Sequence, residues 1–447
     1  MPLPTLLTTP PVTKIYFGTY NYSEAVIKSF PSATPLCKTE IIERTPQAML
    51  QPIVDSHIHK PRKAGLVATY STWAKRFANR YGLESMEEAF RLQMMGAPRI
   101  QSILTYLADV YGLEPEIAAV DAKIWDVMTG GFERYVEAVM DREGIVHAIM
   151  DLSIEVAEPE QVSQALDGLA PGRFSWTFNI VDMLHPQWAV SRSVKDVGEL
   201  LGAISNQLHH LKKMGCRGLK NSMAYYRGLG ISMVDEERAD SAYKWLAKNK
   251  TEEYVESFPR PIPRYPIRDS HPHHLAYQDF VLRHIYIEAG KTGLPILIHV
   301  ASALHPALTP INNDPRGLYS VLEDGEIMRA GTRFLILHGG YPLHREVATI
   351  LSQHPNAYAD TSFFSQYPAI LEEMLTTFLQ LAPHNKIMHG SDSNFFAEIM
   401  AYAANNMRRC LGRVLSRFES DWGWSSKHCR VVAESVLSKN AVNFFGL

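Results

Sequence analysis

PIVDSHIH, at residues 52–59, is a short aliphatic run that ends in two histidines. Runs of this length that are rich in β-branched residues and bounded by turn residues are typical of buried strands in a parallel sheet. The same pattern recurs seven times along the chain, in IVHAIMDLS (145–153), RFSWTFNIVD (173–182), CRGLKNS (216–222), LPILIHV (294–300), RFLILHGG (333–340), NAYADTS (356–362) and KIMHGSDS (386–393). The sequence therefore predicts eight strands.

Amphipathic stretches separate most of these runs. VGELLGAISNQLHHLKKMG precedes the fourth run and HLAYQDFVLRHIYIEAGKTG precedes the fifth. Their apolar residues repeat at helical spacing, and each stretch closes on a glycine, as helices often do. Strands that alternate with helices form βα units around a parallel sheet, so eight units predict a closed (β/α)8 barrel of the α/β class.

Three parts of the chain fall outside this repeating pattern. Residues 60–144 follow the first strand and are predicted to form several helices, and residues 223–271 follow the fourth strand and are rich in proline. Because both insertions come after strands, we expect them at the catalytic face of the barrel. Residues 1–50 are interpreted as an N-terminal arm or extension, and residues 51–447 as the barrel domain.

The composition excludes several classes of protein. The chain has 447 residues, of which 46% are hydrophobic, and its 44 basic and 47 acidic side chains give a formal charge of −3. Such a chain folds, and it lacks the excess of Lys and Arg that nucleic acid or an anionic membrane requires. No apolar stretch reaches the roughly 20 residues that span a bilayer. We therefore expect a cytoplasmic protein that acts on a small molecule, with a homodimer as the commonest arrangement of such enzymes.

Histidine and aspartate side chains mark the ends of four predicted strands. His57 and His59 are two residues apart, a spacing that points both side chains to the same face of a strand. His299, His338 and Asp392 end the fifth, sixth and eighth runs. The carboxyl ends of barrel strands converge on one mouth, where imidazoles and a carboxylate would form a catalytic divalent-metal site. Zinc is the leading candidate.

These residues give the chain a resemblance to the amidohydrolase superfamily. Members of that superfamily carry HxH after strand one, His after strands five and six, and Asp after strand eight of a (β/α)8 barrel. The resemblance covers about residues 50–447 without the two insertions. Three segments look like the amidohydrolase-related branch that includes the domain joined to glutamine-synthetase-like sequences in nodulin-type proteins: GLKNSMAYYRGL (218–229), ILHGGYPLHREVA (336–348) and HGSDSNFFAE (389–398).

Lys220, on the fourth predicted strand, bears on the number of metal ions. Some superfamily members carry a carbamylated lysine there, which forms from a neutral amine and bridges two ions. With a carbamate, the resemblance implies one ion on His57, His59 and Asp392 and a second on His299 and His338, joined by Lys220. Without it, His57, His59, His299 and Asp392 would hold a single ion, and His338 would orient water or polarise the substrate. An unmodified lysine would bind a substrate carboxylate or pair with an acid.

The resemblance implies a metal-dependent hydrolase that cleaves an amide or ester bond with metal-activated hydroxide. Asp392 would accept a proton and pass it to the leaving group, and His338 would assist. Arg227 and Tyr226 are candidates for binding a substrate carboxylate, with a salt bridge as the alternative for Arg227. The alternative function is a metal-dependent non-oxidative decarboxylase of an unsaturated or aromatic acid. A third possibility, a non-catalytic binding barrel, predicts the loss of a ligand, and all five are present.

Overall fold

A computed structural model describes most of the chain after the N-terminal segment. The described residues are 51–81, 84–152, 158–225, 227–249, 254–255, 262–263, 272–301, 310–394 and 396–447. The predicted arm at residues 1–50 lies outside them, as does much of the insertion that follows the fourth strand.

Eight parallel strands form one sheet, and each lies within one of the eight predicted runs. Neighbours in the sheet are also neighbours in the sequence of barrel strands, as a barrel of βα units requires. The strands are β1 (Ile53–His59), β2 (Ile145–Asp151), β3 (Phe174–Asn179), β4 (Leu219–Asn221), β5 (Ile296–His299), β6 (Phe334–Leu337), β7 (Ala357–Asp360) and β8 (Ile387–Met388). The predicted (β/α)8 barrel is confirmed. Two further strands, Tyr254–Val255 and Ile262–Pro263, pair with each other outside the barrel.

Backbone hydrogen bonds join β1 to the segment that follows β8. The amide of Ser56 donates to the carbonyl of His389 over 2.9 Å, and the amide of Asp392 donates to the carbonyl of His57 over 2.9 Å. Ile58 and Ser393 form a parallel bridge further along. These bonds link the first and last strands and place the two histidines of β1 beside the loop that carries Asp392.

Helices fill the connections between the strands. They are α1 (Leu66–Tyr81), α2 (Glu87–Met95), α3 (Pro98–Tyr111), α4 (Ile117–Thr129), α5 (Phe132–Arg142), α6 (Val162–Leu166), α7 (Pro186–Val190), α8 (Val197–Lys213), α9 (Glu236–Lys248), α10 (Pro272–Thr292), α11 (Tyr319–Leu322), α12 (Gly325–Arg329), α13 (His344–Gln353), α14 (Pro368–Leu381), α15 (Glu398–Trp422), α16 (Ser426–Glu434) and α17 (Asn440–Phe445). Short 3-10 turns and one π-helical turn (Ser435–Lys439) complete the described structure.

Helices α1 to α5 make up the insertion between β1 and β2, and a buried polar cluster fastens it to the barrel. Glu398, at the start of α15, is fully buried and accepts hydrogen bonds from Tyr111 of α3 and Arg142 of α5. The guanidinium of Arg142 also lies 5.8 Å from the ring centre of Tyr106. An acid buried in this way needs partners, so the contacts hold α3 and α5 in a fixed position against α15.

The barrel interior is apolar at the end opposite the strand carboxyl termini. Val54, Ile149, Leu297 and Leu335 pack together there, and the C-terminal helix α17 adds Phe444. This packing closes one end of the barrel and leaves the other for polar side chains. Among the described residues, no helix is both long and apolar enough to span a lipid bilayer.

Candidate metal centre

An irregularity in β1 turns its two histidines toward the barrel interior. The register between β1 and β2 shifts between Asp55 and Ile58, which is the mark of a β-bulge. Val54 packs inside the barrel, whereas Ile58 belongs to the outer core. Because the bulge reverses the alternation, His57 and His59 face inward, with ring centres 5.3 Å apart.

His338 and Asp392 lie just beyond strand ends, in backbone conformations that are rare for residues other than glycine. His338 follows β6 directly with φ at 63°, and Asp392 has φ at 53°. A left-handed conformation costs a residue with a side chain roughly 1–3 kcal/mol and is found most often at functional sites. His299, by contrast, is the last residue of β5 and keeps strand geometry. The strain at His338 and Asp392 indicates that the positions of their side chains outweigh the cost in backbone conformational energy.

The predicted ligands converge on one small volume. Oδ1 of Asp392 lies 3.4 Å from Nε2 of His57 and 3.5 Å from Nε2 of His59. Nε2 of His338 lies 3.0 Å from Nδ1 of His299, and the ring centres of His57 and His338 are 5.6 Å apart. Two ligand atoms on one tetrahedral zinc ion are separated by about 3.3 Å, given bonds of about 2.0–2.1 Å. The spacings of Asp392 from the two histidines of β1 therefore fit donors that aim at a shared cation, while the contact between His338 and His299 has the length of a hydrogen bond and brings their rings to the same place.

Lys220 reaches the same volume from β4, together with an acid that the sequence analysis missed. Its Nζ lies 3.3 Å from Nε2 of His57 and 3.6 Å from Oδ2 of Asp151, the last residue of β2. One ligand atom each from His57, His59 and Asp151 lie within 4.8 Å of one another, so Asp151 is a further candidate ligand. The signal was present in the sequence, because the second run also ends in an aspartate at the carboxyl end of its strand.

Burial and charge set the protonation of these groups. Burial lowers the pKa of His57, and it lowers the pKa of His338 to about 3, so both imidazoles are neutral at pH 7. Burial alone would raise the pKa of Asp392, but hydrogen bonds with His57 and His59 outweigh that effect and hold its pKa well below the usual value. Neutral imidazoles and an ionised carboxylate are the forms that bind a divalent cation.

A hydrogen-bonded group behind His338 fixes its ring. The hydroxyl of Ser362 donates to Oδ1 of Asp360 over 2.7 Å, and Nδ1 of His338 lies 2.9 Å from that hydroxyl oxygen. The one hydroxyl proton is used toward Asp360, so the network assigns the ring proton of His338 to Nδ1 and leaves Nε2 unprotonated. Asp360 also accepts from the amide of His338 over 2.8 Å, which holds its unusual backbone.

Two further residues fix the loop that carries Asp392. Oδ1 of Asp55 accepts from the amide of His57 over 3.2 Å and from the amide of Ser391 over 2.9 Å. Burial raises the pKa of Asp55 to about 7. Gly390 packs so tightly that a Cβ atom would lie 2.7 Å from Oδ2 of Asp360 and 2.9 Å from Oγ of Ser56. Asp55 therefore accepts hydrogen bonds from the backbone at the end of β1 and in the loop after β8. The close packing requires glycine at position 390 of that loop.

Of the two predicted substrate-binding residues, Arg227 forms an ion pair with another part of the chain, and Tyr226 lies outside the described residues. Nη2 of Arg227 lies 2.6 Å from Oδ1 of Asp279 and donates to the carbonyl of Gly230 over 2.8 Å. Arg227 is 8% exposed, so this is a nearly buried ion pair, the alternative expected from the sequence. Its Nη1 has no hydrogen-bond partner among the described residues, and its role toward substrate stays a prediction.

The donor set fits a divalent metal ion. Nε2 of His299 is buried and has no hydrogen-bond partner in the part of the chain that the structure describes. A buried nitrogen without a partner costs about 1–3 kcal/mol, which a bound cation would offset. His57, His59, His299, His338 and Asp392 supply the nitrogen and oxygen ligands that zinc and similar ions prefer.

Comparison with known proteins agrees with this geometry. Residues 257–447 match the family profile described as Amidohydrolase. The match covers less than half of the chain, and this part of the protein is similar to the amidohydrolases. The predicted resemblance to the amidohydrolase superfamily is thereby confirmed for residues 257–447, and the metal dependence of that family agrees with the cluster of His and Asp side chains. The narrower resemblance to the nodulin-type branch stays a prediction.

One curated relative is the fluG protein of Emericella nidulans. It is 20% identical over 239 residues, which are 52% of this chain and 25% of fluG. The match thus spans about a quarter of the length of that relative.

Two solved structures are similar over nearly the whole barrel. A Lactobacillus casei protein described as a metal-dependent hydrolase has a TM-score of 0.67 at 15% identity, covering 90% of this chain and 97% of its own. Uronate isomerase from Thermotoga maritima has a TM-score of 0.65 at 13% identity, covering 90% of this chain and 98% of its own. At these identities the similarity establishes the fold, and the fold does not select the reaction.

Proposed function

We propose that the protein is a metal-dependent hydrolase that cleaves an amide or ester bond of a small, carboxylate-bearing substrate. The observation that carries the proposal is the convergence of Asp392 with His57 and His59 at 3.4 and 3.5 Å and of His299 with His338 at 3.0 Å. In a structural zinc site four protein ligands fill the coordination sphere, whereas a catalytic centre leaves one position for water. A bound divalent ion supplies hydroxide at neutral pH and polarises the carbonyl of the substrate.

The side chains of the protein have separate tasks in this reaction. Asp392 is held as a carboxylate and can accept the proton of the attacking water, then return it to the departing amine or alkoxide. His338 presents an unprotonated Nε2 to the site because Ser362 fixes its other nitrogen. The low exposure of His338, 1%, and Lys220, 3%, keeps bulk water away from these groups and strengthens their electrostatic effects.

Lys220 decides between one and two ions. Burial lowers its pKa, which favours the neutral amine that carbamate formation requires, while Asp151 and Asp392 oppose that shift. A carbamate on Lys220 would add a carboxylate between the two groups of ligands. We infer zinc as the metal on the nitrogen-rich donor set.

The second candidate is a metal-dependent non-oxidative decarboxylase of an unsaturated or aromatic acid. The contact of 3.6 Å between Lys220 and Asp151 supports it, because an unmodified lysine paired with an acid suits a centre with one ion. In that reaction Asp392 and His338 would manage protons and no hydroxide would be formed.

Metal content per chain, measured on protein purified without chelator, tests both candidates. Peptide mass for the Lys220 region, taken under conditions that spare a carbamate, accompanies it. Near two zinc ions with a carbamylated Lys220, and hydrolysis in a screen of amides and esters, is the result expected for a hydrolase. Near one ion with unmodified Lys220 and release of carbon dioxide from small unsaturated acids would favour the decarboxylase. A protein that takes up no zinc or manganese would overturn both.

Single substitutions test the ligand set. His57→Ala and Asp392→Ala should lose metal and activity while the circular dichroism spectrum is unchanged. His147→Ala is the matched control, since this histidine lies on barrel strand β2 but bonds to the carbonyl of Gly172 at 3.1 Å and to Ser175 at 2.9 Å. Full metal content in the first two variants would show that the ligand set is wrong.

A further inference from the structure

Arg99, in the first turn of α3, lies in a cage of aromatic rings. Its guanidinium carbon is 5.4 Å from the ring centre of Tyr70, 5.2 Å from that of Phe363 and 5.5 Å from that of Tyr367. Tyr70 belongs to α1 of the same insertion, while Phe363 and Tyr367 follow β7 of the barrel. Rings on several sides hold a cation in one orientation without using its N–H groups.

Hydrogen bonds connect this cation to the candidate metal centre. Nη1 of Arg99 donates to Oε1 of Gln366 over 3.3 Å, and Nε2 of Gln366 donates to the carbonyl of Ser391 over 2.9 Å. Ser391 directly precedes Asp392. Phe363 directly follows Ser362, the residue whose hydroxyl contacts His338. The insertion therefore brings a positive charge to the same end of the barrel as the ligands, at a position fixed relative to both His338 and Asp392.

The positive charge of Arg99 is not neutralised by an ion pair among the described residues. Among the described residues no carboxylate lies within ion-pair distance of it, and its Nε is buried without a hydrogen-bond partner. Burial opposes the charged form, but Tyr70, Tyr367 and Asp392 together raise the pKa of Arg99. Arg227 differs, because Asp279 already balances its charge at 2.6 Å. A buried, charged N–H group with no partner is costly unless a ligand supplies the acceptor.

We propose that Arg99 binds a free carboxylate of the substrate and so makes the enzyme selective for amides or esters that carry such a carboxylate besides the scissile bond. This proposal rests on the hydrolase function proposed above and names its substrate class. A carboxylate matches the planar fork of a guanidinium, and charge-assisted bonds of this kind are among the stronger ones in proteins. Arg99 would hold the free carboxylate of the substrate while the scissile bond lies at the His and Asp cluster.

The test measures binding separately from catalysis. Zinc-loaded wild-type protein is titrated with benzoate, succinate and citrate, and with benzamide and succinamide as uncharged counterparts, and each dissociation constant is read by NMR or calorimetry. The variants are Arg99→Met, which keeps an apolar chain between the rings, and Arg99→Lys, which keeps the charge but removes the fork. Circular dichroism and metal content are recorded for every variant.

Arg91→Met is the matched control. Arg91 lies on α2 of the same insertion and pairs with Glu88 at the surface, 2.5 Å away, so its loss changes the net charge by the same amount without touching the cage. Its affinity for carboxylates should equal that of wild type. In Arg99→Met, affinity for the best carboxylate should fall about 10- to 100-fold, while affinity for the amides stays constant. Arg99→Lys should lie between them.

Two results would overturn the proposal. One is a wild-type protein with no preference for carboxylates over amides. The other is Arg99→Met protein with the wild-type affinity for every carboxylate, which would mean that the zinc ion binds them and that Arg99 only joins α3 to the barrel. Failure of the hydrolase function would appear elsewhere, in the metal content and in the screen of amides and esters. Carboxylate binding that depends on Arg99 in a protein without hydrolase activity would refute the reaction and keep the anion site.

Discussion

The amino group of Lys220 lies 3.6 Å from Oδ2 of Asp151, and both side chains are almost completely buried. Asp151 ends β2 and Lys220 lies on β4, two strands along the sheet, and Asp151 also lies close to the ligand atoms of His57 and His59. A buried acid in this position either binds the metal itself or balances the charge of Lys220 beside it. Both roles place Asp151 in the candidate metal centre.

Asp151→Asn should therefore weaken zinc binding about 10- to 100-fold, which is the usual effect of removing a carboxylate that supports a metal site. Zinc affinity is measured by competition with a chromophoric chelator. Asp141→Asn is the control, since Asp141 is an exposed acid paired with Arg173 at 3.0 Å, away from the barrel mouth. If Asp151→Asn and wild type had equal zinc affinity, Asp151 would neither bind the metal nor support its binding.

The hydroxyl of Ser362 is predicted to hold His338 in the form that binds a cation. Ser362→Ala removes the hydroxyl that lies 2.9 Å from Nδ1 of His338 and leaves only the carbonyl of residue 362, at 3.3 Å, to hold the ring proton on that nitrogen. We expect zinc affinity to fall about 10-fold, with the melting temperature nearly unchanged. Ser435→Ala is the control, because Ser435 is buried too but donates to the carbonyl of Val431. An unchanged zinc affinity in Ser362→Ala would show that His338 does not depend on this contact.

Glu398 is predicted to hold the insertion of α1 to α5 against the barrel. Glu398→Ala leaves Arg142 without its acid and Tyr111 without its acceptor, so we expect a loss of about 3 kcal/mol in the free energy of unfolding. Denaturant titration measures the loss. Glu88→Ala is the control, since this exposed partner of Arg91 should contribute little to the free energy of unfolding.

The same variant tests the link between the insertion and substrate binding. Arg99 and Tyr111 lie on the same helix, α3, so loosening Glu398 should weaken carboxylate binding as well as stability. A Glu398→Ala protein that loses stability but binds carboxylates as wild type does would mean that α3 keeps its position through its apolar contacts alone.

The fold and the convergence of the candidate ligands could be predicted because they depend on local patterns. Each strand is a continuous apolar run, and the rule that strand ends converge applies to any barrel, so His299 and Asp392 could be placed without knowing their contacts. The bulge in β1 could not be predicted from the sequence. The prediction that His57 and His59 share one face did not depend on it, because the bulge changes which face the pair occupies and keeps the two side chains together.

Other site residues depend on packing between distant segments. Arg99 follows a proline at the start of a helix and looks like any surface charge in the sequence, and only the packing of α3 against the segment after β7 encloses it in aromatic rings. Arg227 looked available because its partner, Asp279, lies in a different helix, α10. Charge pairing across the fold leaves no periodic signal, which is why sequence patterns indicated the candidate metal ligands more readily than residues that would bind substrate.

His389 provides a test of stability against pH. It is fully buried, neither ring nitrogen has a partner among the described residues, and burial, with a smaller effect of Arg408, lowers its pKa to about 3. In the unfolded chain a histidine has a pKa of about 6.5, so below pH 6.5 the unfolded state takes up a proton that the folded state refuses. Acidification therefore destabilises the protein progressively from about pH 6.5 down to pH 3.

The contribution of His389 can be isolated by comparison. Between pH 7.5 and pH 5 it should remove about 2 kcal/mol from the free energy of unfolding. His389→Leu and His389→Gln both lack a titrating ring, so each should lose about 2 kcal/mol less than wild type over this range, although their stabilities at pH 7.5 will differ from each other. Because the remaining histidines are common to all three proteins, their effects cancel in the difference. Parallel curves for wild type and both variants would mean that His389 has its ordinary pKa in the folded protein.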